Sequence, residues 1–430
     1  MEKYIDKQRL TDVFLEIVKI DTGSNADSQN SPSTEKQLVL AEVLRRKLSD
    51  LGLKNVHLDE HGIVSGCLPS NMSVSVPAVG FIAHMDTSPD VATGPVNPRL
   101  HQYGGGDICL ENGVTVPSEM LKKYQGQTVI TSDGTTLLGA DDKAGVAEIL
   151  EMLAVLKDNP ALPRPELRIA FTPDEEVGRG TEHFKSAEFG ADFAYTVDGS
   201  APEDIDTETF NAFNPKITIT GVPVHTGYAY QKMVSAIEIA NVFMNSLPGD
   251  ETPAATKEKE GYFHVLNISG TPAEVRIDML VRDFDYLRAQ KRIAFLQCVL
   301  DDLQRRYPEA KISFDANEKY HNMKEKFSTF PELLAITKEA VRRSKLEPVE
   351  TFVRGGTDGA ELTLRGLLTP NLGAGGENFH ALNEFVSVEC MAKCTENLLN
   401  LAALWAEKGV ELSDKIKNIS PCRSQRNNRD

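Results

Sequence analysis

Five side chains of metal-binding type, His84, Asp141, Glu176, Asp198 and His380, are spread along the chain, and at least four follow short apolar runs that read as strands. Imidazole nitrogen and carboxylate oxygen are both zinc donors, and a catalytic zinc site keeps one coordination position open for water. Five ligands are too few to give two ions separate sets, but one bridging carboxylate gives each ion three protein contacts. Asp141 is the best candidate for that bridge. Two metals roughly 3.5–4 Å apart can hold a hydroxide between them and polarise a carbonyl, the arrangement of aminopeptidases and related hydrolases. If Glu176 is a ligand, its neighbour Glu175 is free to act as the general base that takes a proton from the water and later gives it to the leaving amine. Asp86 lies two residues beyond His84, on the same side of an extended segment, where it can accept the other imidazole N–H and fix the tautomer.

Each motif alone has an ordinary explanation. An H-x-D is commonly a satisfied polar pair, Glu-Glu a solvated surface, GGTDG a glycine-rich turn, and Asp-Asp before a helix a cap that complements the helix dipole. The combination does not reduce to these, because solvated acids have no reason to recur after strand ends along one presumed sheet edge.

The elements that must position these residues are legible. In PAVGFIAHMD the apolar run Val79 to Ala83 ends on His84 and Asp86. In LRIAFTPDEEVG, Leu167 to Phe171 reads as a buried strand that Pro173 cannot continue, with Glu175 and Glu176 in the loop beyond. FAYTVDG delivers Asp198, and LLTPNLGAGGENFH delivers His380 a few residues after its run. Asp141 differs: in LLGADDKAGVAEILEML it precedes a helical pattern with apolar Val146, Ile149, Leu150, Leu153 and Leu156. A further helical stripe of Ala41, Leu44, Leu48 and Leu51 stops at Gly52. Such alternation predicts an α/β domain with a helix-covered, mostly parallel sheet, in which ligands gather outside the carboxyl ends of the strands.

Near Asn214 the pattern changes. Lys216 to Thr220 reads as a strand, Met233 to Leu247 as a helix stopped by Pro248, His264 to Ser269 as a strand, and Val275, Ile277, Met279 and Val281 as an alternating half-buried strand. A helix around Leu287 to Leu303 and a strand from Lys311 to Phe314 complete the order β-α-β-β-α-β, that of a ferredoxin-like α+β unit. The chain therefore reads as a catalytic domain of residues 1–213 and 323–412, interrupted by an inserted domain of residues 214–322. The polar, locally basic tail 413–430 is expected to be disordered.

With 430 residues, two domains are the natural expectation. A net charge of −17 argues against nonspecific binding to nucleic acid or anionic membranes, and together with nine histidines it suits hard or borderline cations. The start, MEKYIDKQRL, has no apolar signal region, and no stretch approaches the roughly 18 apolar residues of a spanning helix, so a cytoplasmic protein is expected. The six cysteines form no C-x-x-C pair and suggest neither a disulfide framework nor a thiolate zinc site.

HMDTSPD, GGDI, LLGADDKAG, AFTPDEEVG, YTVDG, RDFD and RGGTDGA, in that order from about Lys7 to about Glu407, resemble the signatures of the peptidase T family. These are the tripeptide aminopeptidases among the dinuclear zinc metallopeptidases that also include glutamate carboxypeptidase and aminoacylase. The resemblance implies a cytoplasmic enzyme that removes the N-terminal residue from tripeptides, with the inserted domain as a lid. It implies two zinc ions per subunit bridged by Asp141 and a water, one held by His84 and Asp198, the other by Glu176 and His380. Glu175 would be the base and Asp86 the partner of His84. His225, from the lid, would stabilise the developing oxyanion. Arg354, and with it Arg282, would hold the terminal carboxylate of a small peptide. The sequence departs from the family pattern at Thr226, Ala381 and Asn383. A sibling dipeptidase, carboxypeptidase or amide deacylase, and a metal-binding scaffold without turnover, are the alternative readings. The edges of the inserted sheet could pair between subunits as a homodimer.

Overall fold

The computed structural model describes residues 1–416. The described chain divides into two compact units, one of Met1–Thr207, Glu325–Phe352 and residues 357–416, the other of Glu208–Lys324 with Val353–Gly356.

The first unit is built on an eight-stranded sheet. Strands Leu167–Thr172, Val79–His84, Phe193–Gly199 and Asn371–Gly373 lie side by side and parallel at its centre. Lys54–Leu58 and Val64–Leu68 extend it on one side as antiparallel strands, and Asp204–Thr209 with Val349–Val353 extend it on the other. Both faces of the centre are covered, which is why its strands are written as continuous apolar runs rather than alternating ones. On one face Ile82, Ala170 and Ala194 join Phe184, Phe189 and Leu362. On the other, Phe193 stacks between Phe330 and Trp405, at ring distances of 4.7 and 5.2 Å, and the Trp405 indole N–H donates to the Tyr195 hydroxyl at 3.0 Å. Each such fully buried large side chain contributes roughly 1.5–3 kcal/mol.

Helix Ala140–Asp158 is buried almost all round, packed on the strands of His84 and Asp198 and covered in turn by helices Lys7–Val18 and Val388–Ile416. Its approach to the sheet depends on Gly145, where a Cβ would lie 1.9 Å from the Val197 carbonyl oxygen. Gly145→Ala must therefore push the helix carrying Asp141 away from the strand carrying Asp198. We expect a loss of about 3 kcal/mol, the upper range for overpacking, read as a lower urea midpoint.

The second unit has strands Lys216–Thr220, Tyr262–Gly270, Glu274–Asp283 and Lys311–Asp315 with helices Ala236–Ser246 and Tyr286–Arg306. The last strand pairs with the first, the first with the third and the third with the second, all antiparallel, which is the ferredoxin-like arrangement. Ile217, Ile219, Ile277, Met279 and Val281 pack there against Ile239, Phe243, Leu296 and Leu300. The first helix begins at Ala236 rather than near Met233, because Val234 is drawn into a bridge with Val222.

A small antiparallel layer of Arg99–Gln102, Thr128–Thr131, Phe385–Ser387 and Gly376–Glu377 belongs to the first unit. These pieces are too short, and Arg99–Gln102 too polar, to show a strand period in sequence. At the other end, the final helix continues to Ile416, past the point where the sequence suggests a disordered tail, and Lys415 donates to Glu332 at 2.6 Å. The rest of that tail, 417–430, lies outside the described residues.

Candidate metal centre

Three neighbouring parallel strands carry the first ligands to one sheet edge. His84 ends its strand in register with Thr172, and Glu175 and Glu176 follow three and four residues later. Asp198 comes from the strand on the other side. Asp141 sits in the first turn of its helix with extended torsions (φ −82°, ψ 104°), after Gly139 in the left-handed region at φ 77°. His380 lies in the loop joining Gly376–Glu377 to Phe385–Ser387, itself left-handed at φ 61°. That conformation is sparsely populated for a residue with a side chain and persists where surrounding structure holds it.

The five side chains converge as two triads with one shared member: His84, Asp141 and Asp198, and Asp141, Glu176 and His380, each with ligand atoms within 4.8 Å of one another. The Nε2 of His84 is 2.8 Å from Oδ1 of Asp141 and 3.4 Å from Oδ1 of Asp198. The Nε2 of His380 is 3.3 Å from Oδ2 of Asp141 and 2.9 Å from Oε2 of Glu176. Asp141 thus turns one oxygen to each triad.

Other groups hold this arrangement. Asp86 accepts the backbone N–H of Glu175 at 3.0 Å and of Glu176 at 3.3 Å, and its Oδ1 is 3.4 Å from Nδ1 of His84. Nδ1 of His380 lies 2.9 Å from Asp90 Oδ2 and 3.2 Å from the Ser88 hydroxyl. Asp142 accepts the backbone N–H of His84 at 3.1 Å. Glu384 accepts the N–H groups of Gly139 and Asp141. Asp174, left-handed at φ 59°, anchors the glutamate turn by accepting from Ser33 N and Gln37 Nε2, both at 2.7 Å. Sequence reasoning did not single out Ser88, Asp90, Asp142, Asp174 or Glu384. The spacing of two along His84, Asp86, Ser88 and Asp90 was a signal for the first pair. Glu384 carried none beyond an acid beside an apolar run. Of the departures from the family pattern, Asn383 donates to the Thr115 carbonyl at 3.0 Å and accepts from Asn378, so it fastens the His380 loop.

Charge is concentrated here. Burial pushes the carboxyl of Asp198 up to about 7 and that of Glu176 up to about 8, and it also raises Glu175 well above the carboxylate range. Hydrogen bonds to Asp141 and Glu176 raise His380 to about 12. Burial works against the charged form of His84, yet Asp198 and Asp141 overcome it and raise the imidazole well above its usual value. For Asp141 too, burial opposes ionisation, but hydrogen bonds with His380 and His84 hold it below the carboxylate range.

This donor set fits two divalent cations of the zinc type. Each triad is a mixed imidazole and carboxylate set with three protein donors. Both imidazole Nε2 atoms face carboxylates, and the Oε1 of Glu176 is buried with no hydrogen-bond partner among the described residues. A buried carboxylate oxygen without a partner is costly unless a cation or proton satisfies it. Metal binding would displace any proton from the ligating nitrogens and oxygens, because an imidazole must be neutral and a carboxylate ionised to act as ligand.

The three remaining sequence candidates belong to the second unit. His225 is exposed, and its Nδ1 accepts from Gly227 N at 3.1 Å at the start of the turn Thr226–Tyr228. Arg354 donates to the carbonyls of Glu258 and Glu260, at 2.7 and 3.1 Å, and to the Thr256 hydroxyl at 2.9 Å. Arg282 is 8% exposed and donates to the Phe213 carbonyl and Asn214 side chain.

The sequence pattern of peptidase family M20/M25/M40 matches residues 115–404. The chain is 43% identical over 408 residues to peptidase T of Bacillus pumilus, covering 94% of this chain and 100% of the relative. It is 44% identical over 406 residues to peptidase T of Halothermothrix orenii, covering 93% and 100%. Among solved structures, aminopeptidase PepT from Bacillus cereus superposes with a TM-score of 0.72 at 25% identity, covering 94% of this chain and 100% of the other. A tripeptidase from Staphylococcus aureus does so with a TM-score of 0.73 at 24% identity, covering 94% and 99%, and supports the fold.

Proposed function

The chain belongs to peptidase family M20/M25/M40, and from that premise we propose that it is a zinc-dependent aminopeptidase that removes the N-terminal residue from tripeptides. The observation that carries this reading is the pair of triads sharing Asp141, with Glu175 next to a ligand and in none of the triads itself. The near full-length similarity to the peptidase T relatives supports the substrate class.

Two zinc ions, when bound, would supply an acidified water and an electrophile for the scissile carbonyl. His84 and Asp198 would hold one, Glu176 and His380 the other, and Asp141 both. Glu175 takes the proton of the attacking water and returns it to the leaving amine. Burial raises its proton affinity above the ordinary carboxylate range, with His84 opposing and Asp198 adding to the rise, which is the direction a proton acceptor requires. Asp86 keeps Glu175 and Glu176 in place through their backbone N–H groups and steadies the His84 ring.

His225 is assigned to donate to the developing oxyanion, and its exposure leaves the imidazole available for that task. Arg354 is assigned to the substrate carboxylate. Its guanidinium is held in one plane by two carbonyls and a hydroxyl and lies over the rings of Phe210 and Tyr262, at 5.3 and 5.6 Å. Arg282, largely buried, is assigned as its companion in the same task.

Among the described residues no helix is long and apolar enough to cross a membrane. A cytoplasmic location is part of the proposal, and the net charge of −17 favours small peptides over nucleic acid or anionic membranes as partners. The inserted unit is assigned as lid and homodimer interface. Among the described residues its outer strand Tyr262–Gly270 pairs on one side only and exposes Leu266 and Ile268, which suits edge pairing with a second copy.

The test is hydrolysis by the zinc-loaded protein of a free tripeptide beside the matching dipeptide, tetrapeptide and N-acetylated tripeptide. We expect release of the first residue from the free tripeptide and rejection of the acetylated one. Preference for another substrate would move the protein to a dipeptidase, carboxypeptidase or deacylase reading. No turnover on any would leave a metal-binding scaffold.

A further inference from the structure

We propose that Glu384 is a positioning residue that ties the Asp141 turn to the His380 loop and thereby sets the affinity of one of the two metal ions. The inference rests on the dinuclear reading above and extends it to a residue outside both triads.

Glu384 is 0% exposed, four residues after His380, and its N–H donates to the Ala381 carbonyl at 3.0 Å within the same loop. Its Oε2 accepts the N–H of Gly139 at 2.8 Å and its Oε1 the N–H of Asp141 at 3.0 Å. These donors lie at the start of a helix, where backbone N–H groups have no partner within the helix. One buried carboxylate therefore satisfies both flanks of the turn that carries the shared ligand, from a segment more than 240 positions away in sequence.

The consequence differs between the triads. His84 and Asp198 stand on adjoining strands of the central sheet, so their geometry is fixed by the sheet hydrogen bonds. His380 stands on a loop, at φ 61°, and meets Asp141 only if loop and turn are held together. Glu384 makes that connection, so its loss falls on the ion between Asp141, Glu176 and His380. Two acceptors side by side are required, because a carboxamide offers one oxygen and sets its NH2 against the other N–H. Aspartate keeps two acceptors on a shorter stem.

The experiment is calorimetric titration of zinc into the metal-free wild type, Glu384→Gln and Glu384→Asp. We expect two ions in wild type. In the Gln variant one ion should bind about as in wild type and the other about 10–100-fold more weakly, the usual cost of removing a ligand's partner. The Asp variant should recover part of that loss. Wild-type affinity for both ions in the Gln variant would overturn the proposal, and so would equal weakening of both, which is what general loosening produces. If the Gln variant does not fold, the Asp variant decides by the same criterion. Two ions in wild type with an unchanged variant would sink this inference alone. No zinc binding by wild type would sink the dinuclear reading and this inference with it.

Discussion

Glu175→Ala is expected to lower tripeptide turnover by about 10²–10⁴-fold, the range for removing a positioned proton carrier, while zinc content stays near that of the unmodified protein. Structure and charge separate these two effects. Glu175 belongs to neither triad, so its removal takes no donor from an ion. Its backbone N–H, not its side chain, is what Asp86 holds, so the Asp86 bridge to Glu176 and His84 survives the substitution. Glu175→Gln should be as slow as the alanine variant, because a carboxamide fills the space but cannot shuttle the proton. Steady-state kinetics paired with metal analysis of the same preparations checks both halves. A variant that keeps full turnover ends the assignment of Glu175 as base.

How far the amino-acid sequence reveals these groups depends on the elements that carry them. His84, Asp198 and the glutamate pair were legible because the central strands are buried on both faces and must be written as apolar runs. The residue type that breaks each run is then conspicuous. The same logic made the inserted unit readable, since Val275, Ile277, Met279 and Val281 alternate on a half-covered strand and all four are buried in its core. Groups that act through loops left no such trace. Asp90 and Glu384 reach His380 and Asp141 across gaps of 290 and 243 positions, and no local period records a contact of that kind. The short strands Gly376–Glu377 and Phe385–Ser387, which frame the His380 loop, were illegible for a different reason. Two or three residues cannot display a period of two.

The second large effect concerns the one residue both triads share. Asp141→Ala is expected to abolish turnover and to weaken both ions, each by more than the roughly 10–100-fold that losing a ligand's partner costs. A substitution at His380 or Asp198 should instead fall mainly on one ion, since each belongs to a single triad. Stability gives a readout that does not depend on activity. A ligand that binds only the folded state adds about 4 kcal/mol when present at a thousand times its dissociation constant. The unmodified protein should therefore melt at a higher temperature as zinc is added, whereas Asp141→Ala should show little or no zinc-dependent rise. The sharing is geometric, with Oδ1 facing His84 and Oδ2 facing His380, so Asp141→Asn makes a finer test. Its single carbonyl oxygen can serve one triad while its NH2 faces the other, and zinc analysis should find close to one ion per chain. Two tightly held ions in either variant would mean that Asp141 does not bridge, and each histidine would then need a separate set of donors that the five converging side chains do not provide.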